Sequence, residues 1–139
     1  MPMENGHLMG SCLCGGVRYE IVGDVGALFY CHCTMCRKAH GAAFAPLLEV
    51  SHPSFRFTHG EELIKEYRSS DDVGRTFCGR CGSNLQFKRD AQPGFLFAIG
   101  TLDTVLDRKP TNQIWAESKA PWHPIQSDIP SYKTYPSEE

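Results

Sequence analysis

No stretch of this sequence approaches the roughly 18 consecutive apolar residues that a membrane-spanning helix needs. The opening Met1 to Gly10 also has no apolar core of the kind a secretory leader carries. A cytoplasmic protein with no membrane partner is the expectation. Runs of one charge are equally scarce: 14 basic and 16 acidic residues give a net charge of -2, and no block of five or six like charges occurs. That excludes electrostatic binding to nucleic acid and polybasic attachment to a lipid surface. Internal repeats, low-complexity tracts and linkers are missing too. What is there is 139 residues, 41% apolar and 22% charged, which fits a single domain over 1–139 with its core at about 8–125. A chain of this mass buries about 68% of its unfolded surface, enough in principle for a hydrophobic core of its own.

Helix signals are few. Val17, Tyr19 and Ile21 alternate with Arg18, Glu20 and Val22, the period of a half-buried strand, and Gly23 to Gly26 interrupts it. Short apolar or alternating runs recur at Ala27–Cys31, Ala43–Val50, Phe55–Phe57, Leu63–Tyr67, Asn84–Lys88, Phe95–Ile99 and Gln113–Trp115. Turn-rich spacers separate them, which predicts a mainly β, antiparallel fold with very little helix. The best helical segment is Thr34 to Ala39, with Thr34 as N-cap and Gly41 as the stop. Five of the nine prolines (Pro110, Pro121, Pro124, Pro130, Pro136) fall in the last thirty residues together with Trp115, Trp122, Tyr132 and Tyr135. Dense proline forbids regular ladders and dense aromatics argue against disorder, so an irregular C-terminal strap is expected, freely solvated only at Ser137 to Glu139.

Cysteine is the informative residue. Seven occur in three groups: Cys12-x-Cys14, Cys31-x-Cys33-x2-Cys36 and Cys78-x2-Cys81. In a reducing compartment such clusters bind metal or perform chemistry rather than pair as disulfides. A structural zinc takes four protein ligands, and a catalytic zinc takes three and keeps one position open. Two doublets and a triplet satisfy both needs with every cysteine used. Residues i and i+2 of an extended segment face one side, so Cys12 with Cys14, and Cys31 with Cys33, can each grip one ion. Cys78-Gly79-Arg80-Cys81-Gly82 is a knuckle whose backbone N-H groups can donate to the thiolates. Joining the doublets closes a long loop, where a clip gains most in chain entropy. The other partition joins the triplet to a doublet, which puts five ligands at one ion and orphans two thiols. Seven buried thiols acting as small hydrophobes would not cluster in this way, and the i, i+2 spacings fit an iron-sulfur site poorly.

Three thiolates make a metal a weak Lewis acid, so water activation is poorly served. A substrate thiol suits the vacancy better, held as a thiolate nucleophile against an electrophilic carbonyl. Arg37 and Lys38 flank the triplet and either bind a substrate carboxylate or balance its charge.

Three segments carry a family resemblance: Gly10-Ser11-Cys12-Leu13-Cys14-Gly15-Gly16-Val17-Arg18-Tyr19, Cys31-His32-Cys33-Thr34-Met35-Cys36-Arg37-Lys38 and Phe77-Cys78-Gly79-Arg80-Cys81-Gly82-Ser83. With Ile114-Trp115 and Ser118-Lys119-Ala120-Pro121-Trp122, the sequence resembles the glutathione-dependent formaldehyde-activating enzymes. That family includes S-(hydroxymethyl)glutathione synthase and, more distantly, centromere protein V. The resemblance implies a β-tent fold with two Zn2+ per chain, the second more labile. Cys12, Cys14, Cys78 and Cys81 would hold the structural ion, and Cys31, Cys33 and Cys36 the catalytic one. It also implies capture of formaldehyde by the thiol of glutathione, giving an S-hydroxymethyl adduct, formally carbon-sulfur lyase chemistry.

Among the remaining candidates, His40 could reach the triplet's cleft as a substrate-binding residue or acid-base group. His32 lies between two ligands and on a strand would point away from the metal, toward packing. Trp115, Trp122 and His123 either wall the pocket or pack, and His7, His52 and His59 belong to surface or turns. The sequence therefore reads as a zinc-dependent carbon-sulfur lyase-type enzyme acting on a small thiol and an aldehyde-like electrophile. The alternatives are a non-enzymatic zinc-stapled binding module and a thiol or zinc redox sensor.

Overall fold

The structure, a computed structural model, describes residues 6–136. The chain divides into two compact units, one of residues 6–26 and 48–107, the other of 27–47 and 108–136. Among the described residues no helix is long and apolar enough to cross a membrane.

In the first unit β1 (His7–Ser11) pairs antiparallel with β2 (Arg18–Val22), Leu8 opposite Ile21 and Gly10 opposite Tyr19. The expected alternation on β2 is observed: Tyr19 and Ile21 are buried while Arg18 and Val22 are exposed. β5 (Phe55–His59) covers the other edge of β2 with Phe57 opposite Tyr19. β6 (Ile64–Ser70), β7 (Val73–Cys78), β8 (Asn84–Arg89) and β9 (Gly94–Ala98) follow as an antiparallel meander. Tyr19 packs on Phe97 at 4.4 Å between ring centroids and on Phe55 at 5.7 Å. Leu8, Ile21, Leu48, Leu85 and Phe97 are fully buried.

Two strands escaped the sequence reading. The run Val73-Gly74-Arg75-Thr76 looks too polar for a buried strand, yet all four residues are buried. Arg75 Nε donates to Ser69 Oγ at 3.0 Å with its guanidinium 4.8 Å from the Phe87 ring, and Thr76 Oγ1 donates to Gln86 Oε1 at 3.0 Å. Partnered polar groups can be buried without penalty, which hydrophobic patterning does not register. β1 carries His7, Gly10 and Ser11, and only Leu8 and Gly10 turn inward.

In the second unit β3 (Leu28–Cys31) leads into α1 (Thr34–His40), the one α-helix among the described residues. Gly41 ends it at φ 58, as its position promised, but the N-cap is Cys33 rather than Thr34. β4 (Ala45–Ser51) starts here, and its second half belongs to the first unit. The expected strap contains β10 (Asn112–Ile114), which departs from the antiparallel rule by pairing parallel to β3, Ile114 opposite Cys31. Proline-rich residues beyond it are fixed by single anchors instead of a ladder. Gln113, fully buried, donates through Nε2 to the carbonyls of Gln126 at 2.9 Å and Ile129 at 3.4 Å, while its backbone bonds Pro130 and Tyr132. The expectation for Ser137 to Glu139 lies outside the described residues.

Candidate metal centres

The first cysteine set is assembled from two ends of the same unit. Cys12 and Cys14 leave β1, and Cys78 and Cys81 bracket the knuckle after β7. All four Sγ atoms lie within 4.8 Å of one another, with Cys12 and Cys14 at 3.5 Å and Cys14 and Cys78 at 3.9 Å. Cys12 and Cys78 are buried, Cys81 is half-buried and Cys14 is exposed. Backbone donors point at the sulfurs: Val17 N to Cys12 at 3.2 Å, and Arg80 N and Cys81 N to Cys78 at 3.4 Å. These bonds, with Gly82 at φ 85 turning the chain, are what a tetrathiolate needs to offset its charge. Ser83, quoted in the motif above without a role, shares a hydrogen bond with the Cys81 sulfur at 3.3 Å and accepts from Leu13 N at 2.9 Å, buttoning the two halves together. Its position directly after the knuckle glycine was the available signal. The Ser83 hydroxyl and N-H pull the Cys81 thiol down to about 5, and the Gly16 N-H lowers that of Cys14, with help from Arg80.

Gly60 supports this set from behind. It sits at φ +75, and a Cβ there would run into the Gly16 carbonyl and lie 3.0 Å from Val17 Cα, in the loop whose Val17 N-H bonds Cys12. Gly41, at φ +58, would meet nothing within 4 Å. Gly41→Ala is therefore expected to cost about 1 kcal/mol, the left-handed backbone penalty alone. Gly60→Ala adds displacement of the ligand loop and should cost about 3 kcal/mol. Equal urea midpoints for the two variants would contradict the buttress.

The second set lies in the other unit. Cys31 closes β3, Cys33 caps α1, and Cys36 sits in its first turn, with the three Sγ atoms within 4.8 Å of one another. Cys36 N donates to Cys33 Sγ at 3.3 Å. Three sulfurs this close cannot all ionise in the absence of a cation. Charge settles on Cys33, whose thiol is held well below its ordinary value by Cys31 and then Cys36, while Cys33 and Cys36 push that of Cys31 far up. A divalent cation removes this conflict by deprotonating all three. The donor sets thus fit zinc: four sulfurs that fill a tetrahedron, and three that leave a position open.

The structure separates the remaining candidates. Arg37 Nη1 donates to the Ser118 carbonyl at 2.9 Å, so this residue ties the strap to α1. His40 is the half-buried last residue of α1, and Lys38 is exposed. Trp115 takes a left-handed backbone at φ 58 and packs edge-on against Tyr135 at 5.6 Å. Trp122 is 68% exposed, while His123 packs on Phe44 at 5.6 Å. His7 pairs with Glu20 at 2.9 Å, His52 packs on Phe95 and His59 contacts Thr58; none joins a cysteine set.

His32 is fully buried against Phe44 at 5.3 Å and His123 at 6.1 Å, consistent with the packing expected of it. Its backbone N-H reaches the Ile114 carbonyl at 2.9 Å, but neither ring nitrogen has a hydrogen-bond partner among the described residues. Burial, above all, holds its pKa below the ordinary value. The unfolded chain takes up a proton as pH falls through about 6.5, and folded His32 resists it. The unfolded state then binds more protons, so this contribution to stability is complete above that pH and lost below it. Urea midpoints at pH 7.5 and 5.5 should fall less with acid in His32→Phe than in the wild type; identical losses would contradict this role.

A mainly β chain with one set of four clustered cysteines and one set of three has two donor sets that could hold metal ions. Comparison narrows the class: the sequence profile described as glutathione-dependent formaldehyde-activating enzyme matches residues 7–118. The chain belongs to that family. A Halomonas elongata protein named "Putative glutathione-dependent formaldehyde-activating enzyme" is 30% identical over 128 residues, covering 86% of this chain and 82% of that protein. A crystal structure of a Rhodobacter sphaeroides protein, 23% identical, matches with a TM-score of 0.59 over 71% of this chain and 91% of its own, a likeness of fold alone.

Proposed function

We propose that this β-tent-type protein is a cytoplasmic, zinc-dependent carbon-sulfur lyase that adds the thiol of glutathione, or a similar small thiol, to formaldehyde. The observation that carries the reading is the inequality of the two sets: four sulfurs within 4.8 Å in one, three in the other. Cys12, Cys14, Cys78 and Cys81 would hold a structural zinc, and Cys31, Cys33 and Cys36 a second ion. Held by Cys31, Cys33 and Cys36, that second zinc would supply stabilisation of a substrate thiol as its thiolate. The family name supplies the thiol and the aldehyde.

In the addition, a sulfur-carbon bond forms, the carbonyl π pair moves to oxygen, and the thiol proton ends on that oxygen. The chain's own part is to keep three thiolates in register: Cys33 by capping α1, Cys36 by its place in the first turn, and Cys31 by β3, whose partner strand β10 holds it through Ile114. His40, at the end of the same short helix, is the candidate substrate-binding group. Arg37 is the second, although its bond to Ser118 leaves only part of its guanidinium for a substrate carboxylate.

The test is the rate at which S-hydroxymethylglutathione appears by NMR when zinc-loaded protein meets glutathione and formaldehyde. A rate above that of the uncatalysed mixture, lost in Cys33→Ser, supports the reading. A rate equal to the uncatalysed one sinks it and favours a zinc-stapled module or a sensor.

A further inference from the structure

The two units differ in charge. The described residues of the second carry six Lys and Arg against two acidic residues, Glu117 and Asp128, both exposed. The ion pairs of Glu20, Glu66, Asp72 and Asp90 belong to the first unit and reach none of these cations. Two of the second unit's cations are tied to the segment that carries the three cysteines. Arg37 stands one helical turn on from Cys33, with its N-H on the Cys33 carbonyl at 2.9 Å, and its Nη1 holds the Ser118 carbonyl at 2.9 Å. The next residue is Lys119, half-buried, whose Nζ donates to the carbonyls of Ala120 at 3.4 Å and His123 at 3.5 Å.

Carbonyls orient an ammonium without cancelling its charge, and no carboxylate among the described residues pairs with Lys119 or Arg37. Arg37 Nε is buried with no partner. The turn beside Lys119 does not need the ammonium to close, since the His123 N-H already bonds the Ala120 carbonyl at 3.1 Å. A half-buried cation, fixed in direction and left unneutralised by the chain, is the complement of an anionic group on a ligand. We propose that Lys119, set in place by Arg37 through Ser118, anchors a carboxylate of the substrate thiol and makes the site selective for thiols that carry one. Arg37 is then a positioning residue for Lys119. This anchor rests on the reading that a small thiol is seated at Cys31, Cys33 and Cys36.

The experiment titrates the zinc-loaded full chain with glutathione and, separately, with its diethyl ester, by calorimetry without formaldehyde. Both ligands bring the same thiol, so the ratio of their affinities reports the carboxylates. The wild type should bind glutathione at least about tenfold more tightly than the ester, the worth of one charge-assisted hydrogen bond. Lys119→Gln keeps a donor for the two carbonyls and removes the charge. It should lose about tenfold for glutathione and nothing for the ester, while Lys119→Arg should keep most of the preference. Equal wild-type affinities for the two ligands, no binding of glutathione, or an unchanged preference in Lys119→Gln overturns the anchor. So do equal losses for both ligands in that variant, which a role confined to the turn would give. The wild-type ratio can overturn it even if a variant misfolds. Binding with the expected preference but no turnover of formaldehyde would sink the lyase reading and leave the anchor standing.

Discussion

Cys78→Ser is expected to abolish the cooperative thermal transition of the 48–107 segment and its partner strands. Cys78 is fully buried, its Sγ accepts two backbone N-H groups, and it lies 3.9 Å from the Cys14 sulfur. In a tetrathiolate site the binding free energy of the ion is folding free energy, and in zinc-finger peptides it reaches about 10–16 kcal/mol. Whole domains of ordinary size are stable by only about 5–15 kcal/mol, so losing most of that contribution leaves little. Circular dichroism and a thermal melt check it. A variant that melts within a few degrees of the wild type would show that the hydrophobic cluster around Tyr19 and Phe97 suffices without the clip.

Cys33→Ser should behave in the opposite way, keeping the fold and losing the chemistry. Serine is itself a good N-cap, so its hydroxyl can accept the Cys36 N-H that Cys33 now accepts and α1 should persist. What goes is one of three metal ligands. Removing even an outer-shell partner costs about 10–100-fold in metal affinity, so removing a ligand should cost at least about a hundredfold at this site. Competition with a chromogenic chelator gives the affinity, and the melt gives the fold. Equal thermal losses in Cys33→Ser and Cys78→Ser would contradict the division between a closed and an open site.

The candidate sites were more legible than the fold that holds them. Cysteine spacing proposed the two groupings whose sulfurs lie within 4.8 Å of one another, although Cys12 and Cys14 come together through a turn, with the Gly15 N-H on the Cys12 carbonyl at 3.0 Å, and not on an extended segment. The alternation of Tyr19 and Ile21 and the Gly41 stop were equally readable because each depends on a few neighbouring residues. Arg75 and Thr76 hid a buried strand because their partners, Phe87, Ser69 and Gln86, come from tertiary pairing. The parallel placing of β10 was hidden for a similar reason. It depends on Gln113 satisfying carbonyls of a proline-rich segment thirteen and more residues on. Thr34 was the better cap by residue statistics, and Cys33 holds the post because its sulfur already lies over the helix start as part of the triplet.

The division of labour is tested most directly by metal content per chain, measured by elemental analysis on protein purified without oxygen, before and after dialysis against a mild chelator. Two zincs falling to one, with the remaining ion lost only on unfolding, is the expected result. One tightly held zinc from the outset would remove the open site from the account, and iron in place of zinc would contradict it outright.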